Sequence, residues 1–151
     1  MPGRIAGFTL VDSAGHVIKE AVFPSLPSAF QDSLANTALS DPYTGSCAEA
    51  ICTGMEVTSL DILADQRFDP KWRDQCLRYG INALRSRPIM RYGETPQGTF
   101  VLCYKQANPR AEHWNERLMQ EVADLAYEAI RLYRAGMLAR GPTDLASSTN
   151  A

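Results

Sequence analysis

The chain has 151 residues, of which 45% are hydrophobic and 21% are charged. These are the proportions of a globular protein, and the length suffices for one hydrophobic core but is short for two. Fifteen basic and 17 acidic side chains give a formal net charge of −2, which excludes a surface dominated by positive charge for phosphate backbones or anionic lipid. No apolar run reaches the roughly 18 residues that a membrane span needs. We therefore expect one cytoplasmic domain with neither nucleic acid nor membrane as its partner.

The first third of the chain predicts a β-hairpin and a short helix. Ile5–Val11 is almost wholly apolar, and after a short turn a looser alternation covers His16–Phe23, a pattern that is typical of paired strands. Phe30 and Leu34 follow at the i, i+4 spacing of a short amphipathic helix over Pro27–Asn36.

The middle of the chain predicts two further helices around a strand. Ser46 and Glu49 match a capping box, in which the serine hydroxyl and the glutamate carboxylate satisfy free amides at a helix start. Val57–Ile62 follows as a strand. Pro70 suits the first position of a helix that ends at Gly80.

The last third predicts two strands and a long helix. Ile81–Met90 and Gly98–Lys105 are strand-like, and a polar turn joins them. Apolar residues at steps of four and three predict a helix over 111–138, about 40 Å long. The small and polar segment 141–151 predicts a disordered tail, so we place the domain at residues 1–140. Together these elements predict an α+β fold with one mostly antiparallel sheet.

Five segments, in this order, resemble motifs of the GAF domain, a small sensory module of bacterial signalling proteins. The helix start Gly45-Ser46-Cys47 with Ala50 is similar to the family's GSCGTA, and Val57–Asp65 with Phe68 is similar to its VxVxDIxxDPxF. Further matches lie at Tyr79-Gly80-Ile81 with Ser86 and Pro88 (HGLRACWSxPI), at Gly98-Thr99-Phe100 with Tyr104 (LGTFALYYREPR), and at Pro109 with Glu112 (PTPEE). Two positions depart from the motifs, since Ala48-Glu49 replaces a Gly-Thr pair and Arg85 replaces a tryptophan.

The resemblance implies a six-stranded antiparallel sheet with the long terminal helix on one face, inserted helices and loops on the other, and a ligand pocket beneath the insertions. It implies a regulatory domain in signal transduction that senses a small molecule. The residues that the resemblance places around this pocket are Tyr43, Cys47, Ala48, Ile62, Trp72, Cys76 and Ser86. The sequence identifies no cofactor. A small polar or anionic ligand is the least excluded class, because the features that cyclic nucleotides, bilins or haem require are missing.

Each candidate group also has a plainer interpretation. The helix start at Gly45-Ser46 could bind an anion through its amides, or it could simply be a capped helix. Trp72 and its aromatic neighbours could line a pocket or fill the core. The two histidines stand in no metal-binding or catalytic spacing, and we expect no metal site.

Two other functions stay open beside ligand sensing. A helix N-terminus lowers the pKa of a thiol, so Cys47 could serve a thiol redox enzyme. Cys52 lies about 140° around the same helix and cannot readily assist it, so we favour a structural cysteine and a domain that is not an enzyme. The other alternative is a dimerisation module without a ligand.

The terminal helix carries more apolar surface than one sheet can cover. Its first apolar line is Leu118, Val122, Leu125, Ala129 and Leu132. A second line beside it is Met119, Ala126, Ile130, Tyr133 and Met137. We expect an uncovered strip about 30 Å long, and hence a homodimer through the 111–138 helix, unless a further segment of a longer protein covers the strip.

Overall fold

A computed structural model describes residues 4–39, 44–110 and 116–149 of the chain, with the backbone alone from 137 onward. Five strands form one sheet, and its strands are β1 (Arg4–Val11), β2 (Ile18–Val22), β3 (Val57–Ser59), β4 (Ala83–Ile89) and β5 (Gly98–Tyr104). The helices are α1 (Ser28–Leu34), α2 (Ser46–Thr53), α3 (Pro70–Arg78) and α4 (Glu116–Thr149). The α+β class is confirmed. The described residues contain five strands where the resemblance implies six.

The sheet has the strand order β2-β1-β5-β4-β3, and every neighbouring pair is antiparallel. The central pair, β1 and β5, runs in unbroken register from Arg4 opposite Tyr104 to Leu10 opposite Gly98. Each residue of β5 is buried, because the sheet is covered on both faces. This explains why the sequence of β5 is nearly continuous in its apolar character.

Alternation along the strands divides the core into two layers. The layer beneath α1, α2 and α3 includes Ile5, Leu84 and Val101. The layer beneath α4 contains Phe100 and Leu102, together with the α4 residues that pack on them. We call these two sides the insertion face and the α4 face.

The start of α2 differs from the predicted capping box. Gly45 occupies the N-cap position, Ser46 is already helical, and no side chain of the described residues caps the helix. Ser46 is 1% exposed, and its hydroxyl accepts a hydrogen bond from Ser86 in the sheet. The capping box is therefore wrong, because a buried hydroxyl must find its partner in the interior and is turned away from the helix start.

Helix α4 covers the sheet with only part of its apolar surface. Met119, Ala123 and Tyr127 are buried against the sheet. Only Met119 belongs to one of the two predicted apolar lines, so the prediction of the line that faces the sheet is wrong. The backbone stays helical to Thr149, beyond the predicted end at residue 138 and through most of the segment predicted to be a disordered tail.

Candidate functional site

A cavity of about 270 Å³ lies between α1, α2 and α3, on the insertion face. We call it the α2 cavity. Its lining mixes apolar residues with hydroxyls, an amide and one charge of each sign. The lining residues are Ile18, Ser33, Leu34, Thr37, Thr44, Gly45, Cys47, Ala48, Asp69, Lys71, Trp72 and Gln75.

The wall formed by Trp72 depends on a glycine. A Cβ atom on Gly45 would lie 2.5 Å from the indole, so only glycine lets the α2 start approach the ring this closely. The centroid of the indole lies 4.7 Å from that of Phe68. Trp72 thus packs against the core and lines the cavity at once.

Two helices begin at the cavity. Gly45 precedes α2, and Asp69 caps α3 by accepting a hydrogen bond of 2.7 Å from the Lys71 amide. Helix starts carry partial positive charge, and the Lys71 side chain adds a full one. Glu49 opposes this field from the first turn of α2, and its Oε2 is buried without a hydrogen-bond partner among the described residues. The Asp69 carboxylate also lines the cavity, so charges of both signs lie at this place.

A cluster of buried hydroxyls lies behind the cavity, in the middle of the sheet. Thr9 and Thr99 face each other across β1 and β5 with 2.6 Å between their hydroxyl oxygens. Ser86 donates a hydrogen bond of 2.9 Å to Ser46, and the Cys47 sulfur lies 3.9 Å from the Ser86 hydroxyl. These hydroxyls satisfy one another in pairs, which makes their burial tolerable.

Cys47 does not have the environment of a nucleophile. It is 6% exposed, and burial raises the pKa of its thiol although it stands in the first turn of α2. The expectation that the helix start would lower this pKa is wrong, because removal of the thiolate from water outweighs the helix field. Cys76 and Cys103 share the same core, and burial raises their thiol pKa values as well.

The structure distributes the residues predicted for the pocket over three places. Cys47, Ala48 and Trp72 line the α2 cavity. Ser86 touches Cys47 from the sheet side. The apolar core cluster on the insertion face contains Ile62 and Cys76, and Tyr43 lies outside the described residues.

Most of the polar lining was not predicted from the sequence. Lys71 and Gln75 reach the cavity from α3, and Ser33 and Thr37 reach it from α1 and the residues that follow it. A weak signal exists for α3 alone, since Lys71 and Gln75 are spaced by four residues and share a helix face. Nothing local to α1 predicts which of its polar residues border the cavity.

A second cleft, of about 560 Å³, lies on the α4 face between α4 and the end of β4. Its lining is Met90, Arg91, Tyr92, Gln120, Asp124, Leu125, Tyr127 and Glu128. It is richer in charged side chains than the α2 cavity and includes none of the residues predicted for the pocket.

The described residues contain no group of three or more His, Cys, Asp and Glu side chains placed to hold a metal ion. None of the helices in the described part of the chain combines the length and the apolar character that a membrane crossing requires.

Comparison with solved structures identifies the architecture. The chain is similar to the GAF domain region of a Geobacter sulfurreducens PCA protein, with a TM-score of 0.63 and 19% identity over 89% of this chain and 83% of that one. It is similar to the GAF domain of the Acinetobacter phosphoenolpyruvate-protein phosphotransferase, with a TM-score of 0.59 and 15% identity over 87% and 72% of the two chains. No protein-family model and no curated protein matches the sequence.

An enzyme is also among the similar structures. The free methionine-R-sulfoxide reductase of Neisseria meningitidis matches with a TM-score of 0.55 and 20% identity, over 85% of this chain and 70% of that one. The enzyme and the sensor-protein domains share one architecture, so the architecture alone does not select a chemistry. The strand order, the inserted helices and these likenesses agree, and the chain has the fold of a GAF domain.

Proposed function

We propose that this chain is a regulatory sensory domain that binds a small polar or anionic molecule in the α2 cavity. The observation that carries the proposal is the cavity itself, which lies beneath the insertions, where the resemblance places the pocket, and has hydroxyls, Gln75 and Lys71 in its lining. Apolar walls with a few convergent polar groups are the usual composition of a small-ligand site.

A melting screen with the whole chain tests this proposal. The panel contains nitrate, phosphate, free amino acids and mononucleotides. A ligand at one hundred times its Kd adds about 2.7 kcal/mol to the stability of the folded state, which raises Tm by about 5 to 10 °C in a chain of this size. An absence of any shift across anions and neutral metabolites alike contradicts the proposal.

Two lysine variants then locate the site. For an anionic ligand, Lys71→Met should abolish the rise in Tm because it removes the basic side chain in the cavity lining. Lys105→Met removes an equal charge from an exposed position after β5 and should leave the rise intact. Equal effects of the two variants would mean that binding depends on the net charge of the protein and that the ligand does not occupy the α2 cavity.

We also propose that α4 mediates a homodimer. Leu118, Leu125 and Leu132 are 43%, 71% and 61% exposed, and they recur every seven residues on one line of the helix. An apolar residue at every seventh position is the pattern by which helices pair in a coiled coil. A monomer would leave this line in water, so a second copy is the simplest occupant.

Light scattering at micromolar concentration measures the association. The dimer has twice the 16.7 kDa of the single chain. Leu125→Glu should reduce it to the monomer, whereas Leu63→Glu, which alters an equally exposed leucine in the loop before α3, should not. A wild-type protein that stays at the monomer mass refutes the dimer and leaves the line to a further segment or another protein.

A further inference from the structure

Four charged side chains form a cluster between β4 and the first turn of α4. Arg85 Nε lies 2.6 Å from Glu56, and Arg87 Nε donates a hydrogen bond of 2.5 Å to the other oxygen of the same carboxylate. Arg87 Nη2 lies 2.6 Å from Glu116, which Arg85 also contacts. We call these residues the β4 charge cluster.

Three of the four side chains in the cluster are shielded from water, while that of Glu116 is 61% exposed. The side chains of Arg85, Arg87 and Glu56 are 14%, 13% and 21% exposed. Ion pairs in such surroundings are screened far less than surface pairs, and their geometry is tightly held. Arg87 also donates a hydrogen bond of 3.1 Å to Gln120, one turn further along α4. One arginine thus contacts two successive turns of α4.

The residue between the two arginines faces the other way. Successive residues of a strand point to opposite faces, and Ser86 bonds to Ser46 on the insertion face, next to Cys47 in the cavity wall. Glu56 follows the Gly54 cap of α2 by two residues. The cavity helix α2 is therefore bonded to β4 at its first turn and again just after its last one.

We infer that the β4 charge cluster couples the α2 cavity to α4. A shift of α2 moves Glu56, and Glu56 shares both arginines with Glu116 of α4. Arg87 bonds Glu56 and Glu116 at the same time, so the guanidinium passes a displacement of Glu56 on to Glu116. Arg85 stands where the GAF motif has a tryptophan, and a tryptophan could not bind the two carboxylates.

This inference rests on the proposed function, since it takes the α2 cavity as the place where an occupant acts. Its test needs no ligand. Ala48 is 1% exposed and lines the cavity from α2, so Ala48→Leu fills part of the cavity and displaces the helix. Amide hydrogen exchange of the whole chain then reports the effect on residues 116–122 of α4.

We expect Ala48→Leu to change exchange in 116–122 by about five-fold, the size of a modest local perturbation. In a Glu56→Gln background the same substitution should leave 116–122 unchanged, because the link is broken. In a Glu121→Gln background the five-fold effect should persist, since Glu121 is exposed and pairs with Arg117 on its own helix. A purely structural role of Glu56 would alter the baseline exchange but keep the effect of Ala48→Leu.

The inference is overturned if Ala48→Leu leaves 116–122 unchanged, or if its effect survives Glu56→Gln. Should Ala48→Leu fail to fold, Thr37→Leu fills the same cavity from the opposite wall. In addition, Glu56→Gln alone should increase amide exchange both in the last turn of α2 and in the first turn of α4. Loosening of one element alone also overturns it. The two proposals can fail separately. A melting screen without any shift would refute the proposed function, and an effect of Ala48→Leu on 116–122 would still support this link.

Discussion

The two faces of the sheet stabilise their helices by different means. On the insertion face most of the buried polar groups are neutral hydroxyls and thiols, such as Ser46, Ser86 and Cys47, and a cavity remains beside them. On the α4 face the polar contacts are ion pairs around Arg85 and Arg87. Neutral hydrogen bonds break and re-form at low cost, while shielded ion pairs hold one geometry. The first face is thus suited to receive a ligand, and the second is suited to keep α4 in place.

The largest expected effect is on the α4 face. Arg87→Ala leaves Glu56 and Glu116 to share Arg85, so the shielded Glu56 carboxylate loses one of its two arginines, and urea unfolding should show a loss of about 2 kcal/mol. The matched control is Arg131→Ala, which removes an exposed arginine paired with Glu128 and should cost about 0.5 kcal/mol or less. Similar losses in the two variants would mean that the cluster contributes no more to the free energy of unfolding than an exposed ion pair does.

Cysteine labelling tests the neutral character of the insertion face. Cys52 is exposed, whereas Cys47, Cys76 and Cys103 are buried. At pH 8, iodoacetamide should modify Cys52 at least about one hundred times faster than the other three, because burial keeps those thiols protonated and out of reach. Mass spectrometry of digested samples measures each rate. Labelling of Cys47 as fast as Cys52 would restore the redox interpretation of this residue.

The buried threonine pair offers a smaller and more specific test. Thr99→Val leaves the Thr9 hydroxyl buried without its partner and should cost about 1.5 kcal/mol. The double variant Thr9→Val with Thr99→Val removes both hydroxyls and should recover most of that loss, since two apolar side chains of the same shape need no partner. Additive losses in the double variant would show that the hydroxyls serve something other than each other.

The fold was largely predictable because its signals are local. The strands follow from apolar runs, which are nearly continuous in β1 and β5 and alternate only loosely in β2. Helix α3 follows from Pro70 at its first position, where Asp69 caps it. The uncovered apolar line on α4 follows from counting its apolar residues against one sheet. These patterns depend on neighbours in sequence, so one chain suffices to read them.

The site was less predictable because it depends on contacts between distant segments. The Ser46 hydroxyl bonds to a strand 40 residues away, which no capping motif reveals. The raised pKa of Cys47 comes from burial by the sheet, and the same position in a solvated helix would have the opposite shift. Lys71 and Gln75 line the cavity only because α3 folds across α1 and α2.

The smallest expected effect concerns the one strong ion pair in the loop that leads to α3. Hydrogen bonds from Arg67 lower the pKa of Asp65 to about 2, and Ser59 donates a further bond of 2.7 Å to the same carboxylate. A carboxyl whose pKa falls on folding adds stability that is complete above its unfolded pKa of about 4 and is lost as the pH falls toward 2. Because Arg67 is half exposed, solvent screening limits this contribution to about 1 kcal/mol.

Urea unfolding at pH 7, 4, 3 and 2 measures this contribution of Asp65. The Asp65→Asn variant should be less stable than wild type by about 1 kcal/mol at pH 7, and the difference should shrink between pH 4 and pH 2 as the wild-type carboxyl takes up its proton. Asp32→Asn, on the exposed side of α1, provides the matched control and should show no such convergence. A difference that stays constant down to pH 2 would mean that Asp65 orders the loop through its shape and hydrogen bonds and not through its charge. The ion pair at the entry to α3 would then contribute nothing to the stability of the insertion face.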